Sequence, residues 1–120
     1  MKARFVIHEH HATRLHWDLR LEMEDVLKSW AVPKSPPLEV GVKRLAVQVE
    51  DHPLGYIDFE GTIEKGYGAG KVKIWDKGFF ELEGKENKLL KLIFYGKKLN
   101  GKYGLLHWKE NNWLLFKTDK

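Results

Sequence analysis

The sequence of 120 residues is 42% hydrophobic and 12% aromatic, contains no cysteine and carries a net charge of +4. This length fits one domain, residues 1–120, and the missing cysteines exclude disulfides, thiolate metal sites and cysteine nucleophiles. Because there is neither a signal peptide nor an apolar run of about 18 residues, we expect a cytoplasmic protein without a membrane span.

Short runs of alternating apolar and polar residues predict an all-β, mainly antiparallel fold. The clearest run is 15–24, where Trp17, Leu19 and Leu21 alternate with polar residues, so that one strand face is apolar. In chain order, the predicted strands are 4–10, 15–24, 27–32, 44–50, 71–76, 79–83, 90–95, 103–108 and 113–118. We therefore expect a compact closed β-barrel of about eight strands with little helix.

Turn residues separate these runs. The predicted turns are Lys77-Gly78, Tyr95-Gly96, Asn100-Gly101 and Glu110-Asn111-Asn112. Segment 33–37 contains three prolines and is predicted to be a loop at the barrel rim, because proline lacks the donor that a central strand needs. Segment 86–92 is a candidate for a short helical turn.

Four histidines lie within the nine positions from His8 to His16. If residues 12–14 close a hairpin, His10 lies opposite His16 and His8 lies opposite Asp18, with Cβ separations of about 5 Å. Two imidazoles and a carboxylate suit a first-row divalent metal, which predicts a site formed by His10, His16 and Asp18. The alternative is a strand face of solvated polar residues without a metal.

Three further residues have side chains suited to phosphate chemistry. Arg20 continues the strand face of Asp18, where its guanidinium could bind a phosphate; the alternative is an ion pair with Glu22 or Glu24. His52 could act as a general acid or as a hydrogen-bond donor to a transition-state oxygen, and Tyr56 could donate to a phosphate oxygen. The alternative for both is a turn or packing role.

The glycine-rich segment 66–71 leads into a predicted strand and has no Ser or Thr after its lysine, so we exclude a nucleotide-binding phosphate loop. We expect it to permit a chain reversal or close approach, with Tyr67 available for stacking. Cations at Arg14, Lys34, Lys43 and Arg44 could follow a nucleic-acid backbone, although they could equally be solvated surface charges.

Several ordered segments of the sequence resemble the 3′-phosphoesterase domain of bacterial DNA ligase D and its free-standing archaeal relatives. The similar segments are HHATRLHWDLRLE (10–22), LKSWAVPK (27–34), KRLAV (43–47), EDHPLGY (50–56), FEGTI (59–63) and GYGAG (66–70). The resemblance is dense over about residues 4–76 and looser beyond them. Because these segments are long and occur in the same order, together they are far more specific than any one of them.

The resemblance implies a compact β-barrel enzyme that depends on manganese and processes DNA 3′ ends. Such an enzyme removes a 3′-terminal ribonucleoside from a primer–template and then hydrolyses the remaining 3′-phosphate to a hydroxyl. The implied metal ligands are His10, His16 and Asp18. The residues implied to engage the scissile phosphate are Arg20, His52 and Tyr56. The residues implied to support substrate binding are Arg14, Lys34, Arg44 and Glu50, the last by orienting a neighbour.

One departure from the family pattern is His8, where many bacterial members are expected to have glutamine. We assign His8 to substrate binding, with metal ligation or an altered metal preference as alternatives. Because the chain begins almost at the first motif, we expect it to lack the amino-terminal segment of ligase-fused members. The expected partners of this monomer are DNA or RNA/DNA 3′ ends and a repair ligase or polymerase.

Two other functions compete with this hypothesis. The first is a non-catalytic nucleic-acid-binding barrel, in which basic and aromatic residues bind the strand and the histidines have no catalytic role. The second is a dioxygenase or isomerase barrel built on two histidines and a carboxylate. That second function requires a deep apolar cavity, whereas the many large aromatic residues predict a filled barrel interior.

Overall fold

The computed structural model describes residues 2–66 and 69–119, and within them the chain forms nine β-strands and one 3-10 helix. The strands are β1 (Ala3–His11), β2 (Leu15–Met23), β3 (Val26–Val32), β4 (Lys43–His52), β5 (Gly61–Ile63), β6 (Gly70–Glu86), β7 (Leu89–Tyr95), β8 (Asn100–Lys109) and β9 (Asn112–Lys117). The 3-10 helix spans Leu54–Asp58. No helix in the described part of the chain is long and apolar enough to cross a membrane.

Eight of the described strands close a barrel. Their order is β1-β2-β3-β4-β9-β8-β7-β6, and β6 pairs back with β1. All these pairings are antiparallel. The short strand β5 pairs with the first residues of β6, outside the closed ring. The all-β barrel predicted from the sequence is therefore confirmed, whereas one domain over residues 1–120 stays a prediction.

The barrel interior is filled by large side chains. Phe5 and Ile7 of β1 pack there with Leu19 and Leu21 of β2. They are joined by Trp30, Phe80, Phe94 and Tyr103, all at most 2% exposed. Since successive residues of a strand point to opposite faces, the even-numbered residues of β1 and β2 lie on the outer face. The even-numbered polar residues of this hairpin therefore lie outside the barrel.

The predicted turn at Lys77-Gly78 is wrong, because the segments 71–76 and 79–83 form the single long strand β6. Gly78 lies so close to the carbonyl oxygen of Tyr95 that a Cβ atom at this position would collide with it. The glycine thus marks a close approach of two backbones. It does not mark a chain reversal.

Two other local predictions are wrong for related reasons. The segment 86–92 contains the end of β6, a turn at Asn87 with φ of 51° and the start of β7, and no helical turn. Asn100-Gly101 begins β8, because the turn lies just before it at 96–99. In the first place, the chain reverses between two paired strands within two residues, which leaves no room for a helical turn. In the second, Asn100 and Gly101 pair with β7 and so belong to the strand.

The glycine-rich segment leads into a strand as predicted, since β6 begins at Gly70. Gly70 has a φ of +133°, and a Cβ atom there would collide with the backbone of His11 and Ala12. The predicted close approach is therefore confirmed at this glycine. The predicted stacking residue Tyr67 lies outside the described residues.

Asp76 of β6 stabilises the turn between β7 and β8. This buried carboxylate accepts hydrogen bonds from the backbone amides of Lys97, Lys98 and Leu99 at 2.8–3.0 Å. We expect Asp76→Ala to lower the free energy of unfolding by about 3 kcal/mol, because buried donors lose their acceptor. Urea denaturation of both proteins measures this difference. Asp58→Ala, which removes an exposed carboxylate, is the control and should leave the midpoint nearly unchanged.

Candidate active site

The first hairpin brings the predicted metal ligands together on the outer face of the barrel. In the antiparallel pairing of β1 with β2, His10 lies opposite His16 and His8 lies opposite Asp18. This is the register expected from the sequence. It arises because a three-residue loop, 12–14, joins two strands whose alternation is uninterrupted.

His10, His16 and Asp18 offer ligand atoms that all lie within 4.8 Å of one another. Nδ1 of His10 lies 3.4 Å from Oδ2 of Asp18, and Nε2 of His16 lies 3.3 Å from Oδ1. Nδ1 of His16 donates to the carbonyl oxygen of Arg14 at 3.1 Å, so Nε2 is the nitrogen directed at the cluster. Two imidazole nitrogens and a carboxylate fit a divalent transition metal.

The electrostatics of this cluster keep Asp18 ionised. Burial raises the pKa of Asp18, but the hydrogen bond with His16 and the charge of Arg20 outweigh it, so the pKa lies below its ordinary value. The same hydrogen bond raises the pKa of His16. A metal ion would therefore replace a proton on His16, while the carboxylate is already charged.

Arg20 is buried beside the cluster and is held by hydrogen bonds on every nitrogen. Nε donates to Nδ1 of His8 at 3.0 Å, and Nη1 donates to Oγ of Ser29 at 2.9 Å and to Nδ1 of His52 at 3.1 Å. Nη2 donates to Oδ2 of Asp18 at 3.3 Å. A guanidinium has five N–H bonds, so one hydrogen on Nη2 is left for another acceptor.

The alternative assignment of Arg20 to an ion pair with Glu22 or Glu24 is wrong, because its ion pair is with Asp18. Glu22 accepts hydrogen bonds from the side chain and backbone amide of Arg4. Burial lowers the pKa of Arg20, opposed by the charge of Asp18. The acidic partner of Arg20 is thus Asp18, which is also one of the candidate metal ligands.

A β-bulge brings His52 into the site. Leu27 lies opposite His52 and Ser29 lies opposite Val49, so two steps along β3 correspond to three steps along β4. The extra residue reverses the alternation, and His52 consequently lies on the same sheet face as Val49. Without this bulge, Asp51 would occupy that face.

The 3-10 helix places Tyr56 over Arg20. The guanidinium carbon of Arg20 lies 5.0 Å from the centroid of the Tyr56 ring. The ring also contacts His52, at 4.9 Å between centroids, and stacks on Phe59 at 4.9 Å. Burial raises the pKa of Tyr56, so its hydroxyl keeps its proton at neutral pH.

These side chains line one cavity of about 320 Å³. Seven of its lining residues were predicted as site residues: His10, His16, Asp18, Arg20, Glu50, His52 and Tyr56. The apolar remainder of the lining consists of Ala12, Ala31, Val49 and Ile63. The site thus combines a cluster of candidate metal ligands, a guanidinium group and an apolar wall.

Three predicted substrate-binding cations lie outside this lining. Arg14 and Lys34 are exposed in the loops that follow β1 and β3. Nε of Arg44 donates to the carbonyl oxygen of Ser35 at 2.9 Å. Their contact with a substrate stays a prediction.

His8 is fully buried behind Arg20 and is not part of the metal cluster. Its Nδ1 accepts from Nε of Arg20, and its Nε2 donates to the carbonyl oxygen of Phe59 at 3.1 Å. This pattern requires a neutral ring with the proton on Nε2. Burial and the charge of Arg20 lower the pKa of His8 to about 4.

The lowered pKa of His8 predicts a pH dependence of stability in the metal-free protein. Its ordinary pKa is 6.5 and its folded value about 4, so between these values the unfolded chain binds a proton that the folded protein does not. The contribution of His8 to the free energy of unfolding should therefore fall by about 3 kcal/mol as the pH drops from 6.5 to 4. Urea denaturation in the presence of a chelator measures this loss.

His8→Gln is the matched variant for this prediction. A glutamine amide offers the same acceptor to Arg20 and the same donor to Phe59 but does not titrate. The variant should lose less stability than the wild type over this pH range and should be similarly stable at pH 7.5. Equal pH slopes in the two proteins would contradict the assignment to His8.

Two contributors to the site were missed by the sequence argument: the hydroxyl of Ser29 and the carbonyl oxygen of Phe59. Ser29 lies directly opposite Arg20 in the pairing of β2 with β3. Alternation along β3 could have identified it, because a serine at that position shares the outer face with Arg20. No sequence pattern marks a backbone carbonyl such as that of Phe59.

Comparison with known proteins identifies the family. Residues 8–107 match the model of the DNA ligase D 3′-phosphoesterase domain. The chain is 50% identical over 125 residues to the multifunctional non-homologous end joining protein LigD of Pseudomonas aeruginosa, covering 96% of this chain and 15% of that protein. It is 46% identical to LigD of Mycolicibacterium smegmatis over 123 residues, covering 92% of this chain and 16% of that protein. The chain therefore belongs to the family of DNA ligase D 3′-phosphoesterase domains.

Proposed function

We propose that this protein hydrolyses phosphate esters at the 3′ ends of DNA. It removes a 3′-terminal ribonucleoside from a primer–template end and then hydrolyses the 3′-phosphate, leaving a 3′-hydroxyl. The activity depends on a divalent metal ion, which we expect to be Mn²⁺. Membership of the 3′-phosphoesterase family and the end-joining role in the relatives' name support a function in DNA end processing.

The observation that carries the proposal is the contact between the metal-binding cluster and Arg20. Asp18 belongs to the cluster and also accepts from Nη2 of Arg20. With a metal ion bound by the cluster, a phosphate in this cavity would meet two positive groups, the ion and Arg20, both in contact with Asp18. Such an arrangement neutralises the charge that phosphorus oxygens gain during hydrolysis.

His10, His16 and Asp18 would hold the metal ion. When bound, this ion would polarise the phosphate and lower the pKa of a bound water. The remaining hydrogen of Nη2 of Arg20 donates to a phosphate oxygen. Tyr56, whose hydroxyl is protonated at neutral pH, supplies a further donor.

His52 acts as a donor, with its proton on Nε2. Its Nδ1 lies 3.1 Å from Nη1 of Arg20 and 3.2 Å from the carbonyl oxygen of Glu50. The arginine nitrogen can only donate and the carbonyl oxygen can only accept, so Nδ1 cannot bond to both. We assign Nδ1 as the acceptor from Arg20, the shorter contact, which puts the ring proton on Nε2. Burial and the charge of Arg20 also lower the pKa of His52, which favours this neutral form. In this form Nε2–H of His52 donates a hydrogen bond to an oxygen on phosphorus. Its alternative role as a general acid would need the imidazolium form, which the lowered pKa disfavours.

The nucleic acid is bound by residues around this cavity. Glu50 lines the cavity and is exposed, so it is available to the substrate or to a neighbouring side chain. Arg14, Lys34 and Arg44 supply positive charge for phosphates of the strand, without reading its sequence. A ligase or polymerase that uses the resulting 3′-hydroxyl is the proposed repair partner of this protein, which we expect to act as a monomer.

The proposal is tested with primer–templates that end in a 3′-phosphate or in a single ribonucleoside. Each is incubated with Mn²⁺ or with chelator, and the products are separated on a denaturing gel. We expect both ends to be converted to a 3′-hydroxyl with Mn²⁺ only. Tight binding without turnover by the Mn²⁺-loaded protein would instead favour a nucleic-acid-binding barrel.

A further inference from the structure

Ser29 of β3 is a fully buried polar residue beneath Arg20. Its hydroxyl donates to the carbonyl oxygen of Leu27 at 3.0 Å and accepts from Nη1 of Arg20 at 2.9 Å. A hydroxyl has one hydrogen, so the bond to Leu27 leaves only lone pairs for Arg20. Ser29 is therefore fixed as an acceptor by its own strand.

This acceptor determines how the guanidinium is turned. The guanidinium group is planar, and its Nε already donates a hydrogen bond to Nδ1 of His8. Because Nη1 also donates to Ser29, two of the three nitrogens are held by hydrogen bonds. The third nitrogen, Nη2, is then directed at Asp18. Without Ser29, Nη1 would keep only His52, a half-buried side chain on a different strand.

We propose that Ser29 is a positioning residue, which orients Arg20 so that Nη2 faces both Asp18 and the phosphate. This inference rests on the proposed function, because it assumes that Arg20 binds a phosphate in this cavity. Ser29 itself does not line the cavity. Its influence on the substrate therefore passes through Arg20.

A double-mutant cycle with Arg20 tests this inference. The proteins are the wild type, Ser29→Ala, Arg20→Met and the double variant, each loaded with Mn²⁺. Inorganic phosphate binding is measured by calorimetry, and kcat/KM is measured on a 3′-phosphate primer–template. We expect Ser29→Ala to weaken both by about tenfold, since it removes one hydrogen bond from a charged group. In the Arg20→Met background it should change neither by more than about twofold.

Leu105→Val is the control for lost stability, because Leu105 is fully buried in the barrel core. It should lower the thermal midpoint without changing phosphate affinity.

A tenfold loss from Ser29→Ala that persists in the Arg20→Met background would overturn the proposal, as would wild-type phosphate affinity in Ser29→Ala. A wild type that binds phosphate but hydrolyses no 3′ end overturns the proposed function while the cycle still tests Ser29. A wild type that binds no phosphate overturns both.

Discussion

His16→Ala should abolish Mn²⁺ binding at the cluster and lower turnover on a 3′-phosphate end by more than about 10³-fold, since loss of even an outer partner of a metal ligand costs up to about 10²-fold. The fold should survive, because His16 lies at the edge of the site with its side chain 25% exposed. Its hydrogen bonds are to Asp18 and to the carbonyl oxygen of Arg14. Calorimetry with Mn²⁺ and a gel assay on the same preparation measure both effects.

His11→Ala is the matched control for this prediction. His11 lies on β1 next to His10, but its side chain is 42% exposed and contacts Glu9, away from the cluster. Its removal should leave Mn²⁺ affinity and turnover close to those of the wild type. Metal binding or turnover that survives in His16→Ala would show that the proposed ligand set is wrong.

The hairpin that carries the candidate metal ligands was predictable because two local properties determine it. Alternation fixes which residues share a face, and a short loop fixes the register, so His10 and His16 meet without help from the rest of the chain. The closed barrel was predictable for the same reason. Nine short runs with turn residues between them leave few ways to pair every strand.

The second half of the site depends on irregular features that a period of two cannot reveal. His52 reaches the cavity only through the bulge in β4, since strict alternation from Val49 would place Asp51 there. The 3-10 helix after β4 brings Tyr56 over Arg20, and the residue that ends it, Phe59, offers its carbonyl oxygen to Nε2 of His8. Both features are set by tertiary packing.

The burial of His8 illustrates the same limit. From the sequence, it shares a face with His10 and could have been a third metal ligand or a substrate contact. The ring of Tyr56 packs edge-on against it, the carbonyl oxygen of Phe59 accepts from its Nε2, and Arg20 occupies its Nδ1, so its hydrogen bonds are made within the protein. Alternation along a strand predicts which sheet face a residue occupies. It does not predict which other segments of the chain pack against that face.

Arg20→Lys should lower turnover by about 10³-fold, although the positive charge is retained. An ammonium group is a point charge without a planar fork, so it cannot contact His8, Ser29 and Asp18 while also donating to a phosphate. The affinity for inorganic phosphate should fall with turnover. Mn²⁺ affinity should fall less, because His10 and His16 still provide their ligand atoms.

Arg20→Met separates the charge from the geometry. If the planar arrangement of the guanidinium donors is required, the lysine and methionine variants should both lose kcat/KM on the 3′-phosphate end by similar factors. If the charge alone sufficed, the lysine variant would keep most of the activity and only the methionine variant would lose it. That second result would contradict the hydrogen-bonded arrangement of Arg20 as the source of its function. Steady-state kinetics and phosphate calorimetry on the Mn²⁺-loaded proteins distinguish these two results.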